Sequence, residues 1–192
     1  MATATKQRSR RLARGSEVSI VEMEASDAER VLDFARSLPE EDVLFLRSDI
    51  TSPEGVAYWV SNLEQGATFT LLAIVDGAVA GYASVHRNPA RWTRRVGEIR
   101  VNVGAAHRGS GLGKILINDI FDAARGMGLK KLSAMMTIEQ SQAQKVFRRL
   151  GFQVEAVLAD WVEDRLGQPH DLLIMAYDLS GLTDTIDDPV RV

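Results

Sequence analysis

The stretch that decides the fold is "HRGSGLGKIL", His107 to Leu116. Three glycines, Gly109, Gly111 and Gly113, alternate with other residues directly after Arg108. An apolar pattern at Leu112, Ile115, Leu116, Ile120, Phe121 and Ala124 follows at helical spacing and closes at Gly126 and Gly128. The missing Cβ atoms let several N–H groups converge, and they do so where a helix begins. Unpaired donors and the positive end of the helix dipole meet there, which favours an anion. Arg108 adds a forked, permanently charged donor. Two familiar phosphate loops fail the spacing. A Walker loop would need glycine at Arg108 and Ser/Thr at Ile115. The dinucleotide pattern GxGxxG would need a third glycine at Lys114 or Leu116.

Upstream of the loop, "RVGEIRVNV" (95–103) reads as a strand, with Ile99, Val101 and Val103 on one face and Glu98, Arg100 and Asn102 on the other. Downstream, "LKKLSAMMT" (129–137) reads as a second strand. One helix between them predicts a right-handed parallel crossover. "EVSIVEM" (17–23) reads as a strand, and "SDAERVLDFARSL" (26–38) as a helix capped by Ser26 with Glu29. "SPEGVAYWVSNLEQG" (52–66) is a helix with Ser52 as cap, Pro53 in its first turn and Gly66 as terminator. Asp76-Gly77 joins two strands within 68–87. A helix over 139–152, a strand over 152–164 and a last strand over 170–179 complete the order. Basic residues 1–16, with five Lys/Arg and no acid, read as a disordered tail or one that binds something acidic. Polar residues 181–192 read as loose.

The 192 residues are 45 % hydrophobic and 26 % charged, enough for one core over 17–180. A net charge of -3 argues against nucleic-acid binding by the whole domain. Without cysteine there is no disulfide, no Cys-based zinc site and no thiol nucleophile. The three histidines, His86, His107 and His170, have no metal-ligand spacing, so no metal is expected. No apolar run spans a bilayer and no secretory signal opens the chain, which predicts a soluble cytoplasmic protein.

Arg108-Gly-Ser-Gly111-Leu-Gly113 resembles the Q/R-x-x-G-x-G/A motif of the GNAT superfamily of acetyl-CoA-dependent N-acetyltransferases. "QSQAQKVFRRLGF" (140–152) resembles that family's second motif, and 154–179 its final hairpin. The likeness is specific over 95–179 and rests on element order alone over 17–94. It implies an α/β (α+β) fold: a mixed, mostly antiparallel sheet of about seven strands, about four helices and a splayed parallel strand pair. It further implies acetyl-CoA as cofactor. The pantetheine arm would lie along Val101, Asn102 and Val103, and the pyrophosphate on Arg108, Gly109, Ser110, Gly111, Leu112, Gly113 and Lys114. Gln140 and Phe147 of the second motif would lie beside it, and a backbone N–H near Val103 would hold the oxyanion. Glu98 is the implied general base.

Two departures stand out. Phe147 occupies the position of a tyrosine that protonates the leaving thiolate in many members, and Gln140 replaces a frequent asparagine. Tyr82, Tyr177 or water could substitute as acid. Trp92 could wall the acceptor pocket or cap the core. The implied acceptor is a small amine or amino acid. A protein lysine or N-terminal amine is an alternative, as is a non-catalytic acyl-CoA-binding module. A homodimer is left open.

Overall fold

A computed structural model describes residues 8–13, 15–43, 46, 48–88 and 92–180. Its eight strands form one sheet in the order β1-β2-β3-β4-β5-β6-β8-β7. These are β1 (Arg8–Arg11), β2 (Glu17–Glu22), β3 (Thr68–Val75), β4 (Ala78–Arg87), β5 (Val96–Val103), β6 (Lys131–Thr137), β7 (Gln153–Glu163) and β8 (Pro169–Asp178). The helices are α1 (Ala28–Ser37), the four-residue α2 (Glu40–Val43), α3 (Pro53–Glu64), α4 (Leu112–Gly126) and α5 (Ser141–Arg149). Every strand pair is antiparallel except β5–β6. The mixed α/β architecture predicted from the sequence is thus present, with one strand more.

Two cores sandwich the sheet. On one face the apolar stripe of α4 (Leu112, Leu116, Ile117, Ile120, Phe121, Ala124) packs with Val85, Ile99, Leu132 and Met175. Helix α5 buries no residue fully but leans on the same core through Ala143, Phe147 and Leu150. On the other face Val31, Phe34 and Ala35 of α1 and Trp59 of α3 pack with Leu72 and Tyr82. The β3–β4 hairpin turns at Asp76 (φ 49) and Gly77 (φ 81), the left-handed pair that Asp-Gly favours. Ser52 caps α3 as expected, its Oγ accepting from Gly55 N–H at 3.0 Å.

Three local expectations change. Residues 8–11 of the expected basic tail form β1, paired along β2 with Arg10 opposite Val18. Ser-Arg repeats carry no apolar alternation, so nothing local announces a strand. It is held from outside, by the β2 edge, by the burial of Leu12, and by Arg8 and Arg10, which reach Asp119 on α4 at 3.4 and 3.1 Å. Among the described residues, the acidic partner of this tail is therefore internal. Residues 1–7 and 181–192 lie outside the described residues. The second change is at α1. A 3-10 turn over Ala25–Asp27 precedes it, and Glu24 N–H donates to Asp27 Oδ2 at 3.1 Å, so the cap sits two residues before Ser26. Third, Trp92 is 90 % exposed, so it does not cap the core, and it is not among the described residues that line the cavity beside Tyr82 and His86.

Candidate active site

The parallel pair β5–β6 is registered only as Val96–Lys131, Gly97–Leu132 and Glu98–Ser133. Beyond Glu98 the strands part. β5 stays bonded to β4 up to Val103, and Gly104 N–H donates to Ala80 O at 2.9 Å. Because backbone groups alternate sides along a strand, that bond fixes the rest. The N–H and C=O of Val101 and Val103 point into the opening towards β6. Asn102 turns its backbone to β4 and its side chain to Tyr82, where Nδ2 donates to the phenol oxygen at 2.9 Å. Of the three residues expected along the cofactor arm, Val101 and Val103 hold the open edge, and Asn102 belongs to the opposite side-chain face.

The glycine loop follows at the end of that opening. Gly109 (φ 72) and Gly111 (φ 87) are left-handed, and a Cβ on either would touch nothing within 4 Å. Glycine is needed there for the backbone conformation, not for space. Gly111 caps α4 without a side-chain hydrogen bond. The N–H groups of Gly109, Gly111, Leu112, Gly113 and Lys114 have no protein acceptor among the described residues. Ser110 is buried, and its hydroxyl donates to His107 O at 2.6 Å, folding the loop on itself. This is a concave set of unpaired amides at the start of a 15-residue helix, the arrangement that suits a phosphate. Arg108 is turned aside: its Nε–H donates to Val103 O at 3.2 Å, and its other arm pairs with Asp42.

Glu98 sits at the fork, on the last pair before the strands separate. It is 7 % exposed, and its Oε1 accepts from Arg100 Nε and Nη2 at 3.1 and 2.7 Å. Strand register then builds a polar face around it. Thr68, His86 and Glu98 lie in one cross-strand row, and Thr70, Ser84 and Arg100 in the next. Leu72, Tyr82 and Asn102 form the third. His86 Nδ1 is 3.1 Å from Thr68 Oγ1 and its Nε2 is 2.9 Å from Ser84 Oγ, which fixes the ring. A cavity of about 390 Å³ opens over these rows, lined by Trp59, Tyr82, Ser84, His86 and Arg100 and roofed by Leu46, Ser48 and Ile50. Arg87 also borders it, with a buried Nε–H that has no partner among the described residues. Burial pushes the Tyr82 phenol above its ordinary value, opposed by the Asn102 hydrogen bond and the Arg100 charge. Tyr82 therefore stays protonated at neutral pH.

The second-motif residues sit on the other flank. Gln140 Oε1 accepts from Thr137 N–H at 3.0 Å, so its carbonyl closes the end of β6. Gln144, which the motif did not single out, donates to Thr137 O and Ile138 O at 3.3 and 2.8 Å. Phe147 packs edge-on to Phe152 with ring centres 5.0 Å apart. Tyr177 stacks in the same aromatic group, 5.1 Å from Phe121 and 5.6 Å from Phe152, on the face away from the cavity. The His86 row also escaped motif reading: the Asp76-Gly77 turn alone would set Thr68 against Val85, and a register shift between Ala73 and Ile74 moves the pairing by one residue and brings Thr68 opposite His86.

The description "Acetyltransferase (GNAT) family" matches residues 31–152, which carry the fork, the loop and the second motif. The chain belongs to the GNAT acetyltransferase family. A streptothricin acetyltransferase from Streptomyces lavendulae is 32 % identical over 90 residues, 46 % of this chain and 47 % of that protein, so the match spans about half of that relative. An L-methionine sulfoximine/L-methionine sulfone acetyltransferase from Pseudomonas aeruginosa is 29 % identical over 124 residues, 64 % of this chain and 72 % of that protein. Among solved structures, yncA from Salmonella typhimurium with its cofactor acetyl-CoA superposes with a TM-score of 0.69 at 24 % identity. It covers 84 % of this chain and 94 % of that one. In this GNAT chain no group of three or more His, Asp or Glu side chains is placed to hold a metal among the described residues. No described helix is long and apolar enough to cross a membrane.

Proposed function

We propose that this chain transfers an acetyl group from acetyl-CoA to the primary amine of a small, carboxylate-bearing acceptor such as an amino acid. The observation that carries the reading is the fork at Glu98. A buried carboxylate lies at the head of an open strand edge that leads to a bare glycine loop, and its hydrogen-bond partner Arg100 lines a polar cavity. The loop amides from Gly109 to Lys114 fit a pyrophosphate, and the backbone of Val101 and Val103 offers the donors and acceptors an amide-containing arm needs. Bound acetyl-CoA supplies a thioester whose carbonyl carbon forms the new C–N bond as the C–S bond breaks.

The chain's own residues do the rest. Most of an alkylamine is protonated at neutral pH, its pKa being ~10.4, so the acceptor must lose a proton before it attacks. Glu98 takes it, directly or through one water, and Arg100 keeps that carboxylate oriented. The Val103 N–H on the open edge is the candidate oxyanion donor. Tyr82 reaches the cavity as a neutral phenol and is the candidate proton donor to the leaving thiolate. Tyr177, locked among Phe121 and Phe152, is not. Arg100 and the buried Nε–H of Arg87 give the cavity a positive border that suits a carboxylate. The named relatives that acetylate amino-acid analogues support the same acceptor class. A protein amine is the second reading, and it would need the cavity roof to open.

The test is calorimetric titration of acetyl-CoA, repeated with Gly111→Asp, followed by thiol release against a panel of amino acids, simple amines and lysine peptides. Binding lost in the variant and turnover with carboxylate-bearing amines are expected. A wild type that does not bind acetyl-CoA refutes the cofactor reading. Binding without turnover on any amine points to a non-catalytic acyl-CoA-binding module.

A further inference from the structure

Arg108 is the loop's permanent cation, yet it is engaged elsewhere. One guanidinium spans two places, the Val103 carbonyl on the open edge of β5 and the Asp42 carboxylate on α2. Both side chains keep solvent access, 46 % exposed for Arg108 and 22 % for Asp42, so the pair can exchange partners. Helix α2 is too short to be stable by itself. It is tied down at a second point, where Glu40 meets Arg165 of the β7–β8 turn at 2.9 Å. The end of α2 and the residues after it face the proposed acceptor side. Val43 and Leu46 pack on the core cluster that holds Trp59 and Tyr82, and Leu46, Ser48 and Ile50 roof the cavity. The charge of Asp42 is felt at the Tyr82 phenol.

We infer that Asp42 is a positioning residue that holds Arg108 off the glycine loop in the free chain, so that phosphate arriving on the loop draws Arg108 away and frees α2 at the cavity roof. This rests on the reading of residues 108–113 as a cofactor phosphate loop. The physics is competition for one fork of donors. A carboxylate and a phosphate both take a guanidinium through charge-assisted hydrogen bonds, and a pyrophosphate already held by the loop amides adds charge and oxygens. When Arg108 leaves, the Val103 carbonyl loses its donor at the edge where a cofactor arm would lie, and α2 loses its ion pair to the loop while keeping the Arg165 tie and the packing of Val43. The coupling is reciprocal by linkage. If phosphate binding breaks the pair, breaking the pair by substitution must strengthen phosphate binding.

The sign separates this role from a structural one. A residue that merely supports the loop weakens binding when removed, whereas a competitor tightens it. A half-exposed ion pair is worth up to about a factor of five, so Asp42→Asn should bind coenzyme A about two- to five-fold more tightly by calorimetry, and Asp42→Glu should restore the wild-type value. On an Arg108→Gln background, where coenzyme A binding is weaker throughout, Asp42→Asn should change nothing. Hydrogen exchange gives a second readout: amides of Glu40–Val43 should exchange faster when coenzyme A is added to wild type, and be fast already in Asp42→Asn. Unchanged or weaker binding in Asp42→Asn, with wild-type binding intact, overturns the inference and leaves the cofactor loop standing. A wild type that does not bind coenzyme A overturns both.

Discussion

Replacing Glu98 by glutamine tests the mechanism most directly, because the structure separates its chemical from its structural effect. The amide keeps the shape of the carboxylate and an oxygen that can accept from Arg100 Nε and Nη2, which lie 3.1 and 2.7 Å from Oε1 in the wild type. What is lost is a negative charge beside a guanidinium only 16 % exposed. Breaking a fully buried pair costs about 3–5 kcal/mol. Arg100 borders a cavity and retains its hydrogen bonds, so the lower end of that range, about 3 kcal/mol or less, applies. A domain with an ordinary margin of about 5–15 kcal/mol stays folded at 25 °C. The chemical loss is separate. Without a base the amine must arrive neutral, and kcat/KM should fall about 10²-fold or more, equivalent to about 2.7 kcal/mol of barrier. The assay is thiol release with an acceptor the wild type uses, over a pH series, with acetyl-CoA affinity measured alongside. The variant should bind acetyl-CoA normally and regain rate as pH rises, because the neutral fraction of an amine with pKa ~10.4 grows about tenfold per unit. A variant rate within about three-fold of wild type at neutral pH, with normal binding, would refute Glu98 as the base, since general-base catalysis is worth far more than that.

Gly111→Ala forces a Cβ into a backbone with φ 87 where it meets no atom within 4 Å. The cost is purely conformational, about 1–2 kcal/mol, or roughly 2–8 °C in Tm for a chain of this size. An unchanged melting curve would mean that the residue is not held left-handed. Gly55→Ala should be worse, because its Cβ would stand 1.8 Å from the Asp49 carbonyl oxygen. The 49–55 turn must move, costing about 2 kcal/mol or more by thermal melt. A neutral Gly55→Ala would mean that the turn is not packed as described. His170 is held by Asp164 and then Glu139, each at 3.4 Å, and both raise its pKa above the ordinary 6.5. Protonated histidine is favoured in the folded state, so its stabilisation is full below pH 6.5 and is lost as pH rises through the raised value. Urea titrations of wild type against His170→Gln should show a difference that shrinks with rising pH, and a difference constant from about pH 5 to 9 contradicts it.

The two halves of the site differ in how far the sequence reveals them, and the reason is range. The cofactor side is local. Arg108 to Lys114 are contiguous, their glycines are demanded by φ at Gly109 and Gly111, and α4 announces itself by its apolar stripe. The fork needs only two strand patterns and a crossover of known hand. The acceptor side is assembled across the chain. The His86 row joins residues 68, 86 and 98, and Trp59 reaches Thr70 Oγ1 through its Nε1–H at 3.0 Å from another helix. Arg108 finds Asp42 from 66 positions away. No window of sequence contains such pairs, and α2, with four residues, is below the length at which periodicity can speak. The strand at Arg8–Arg11 is the extreme case, since its own residues favour a solvated tail and only the β2 edge, Leu12 and Asp119 make it a strand. The same division bears on specificity. Residues fixed by local backbone demands tolerate little change and, on the proposed function, bind the part of the reaction that every acceptor shares. On the proposed function, the residues that choose an acceptor sit on α2, α3 and the strand rows, where a substitution changes one contact without disturbing the loop. Exchanging Arg87, Leu46, Ser48 or Ile50 should therefore alter which amine is used while leaving coenzyme A affinity intact.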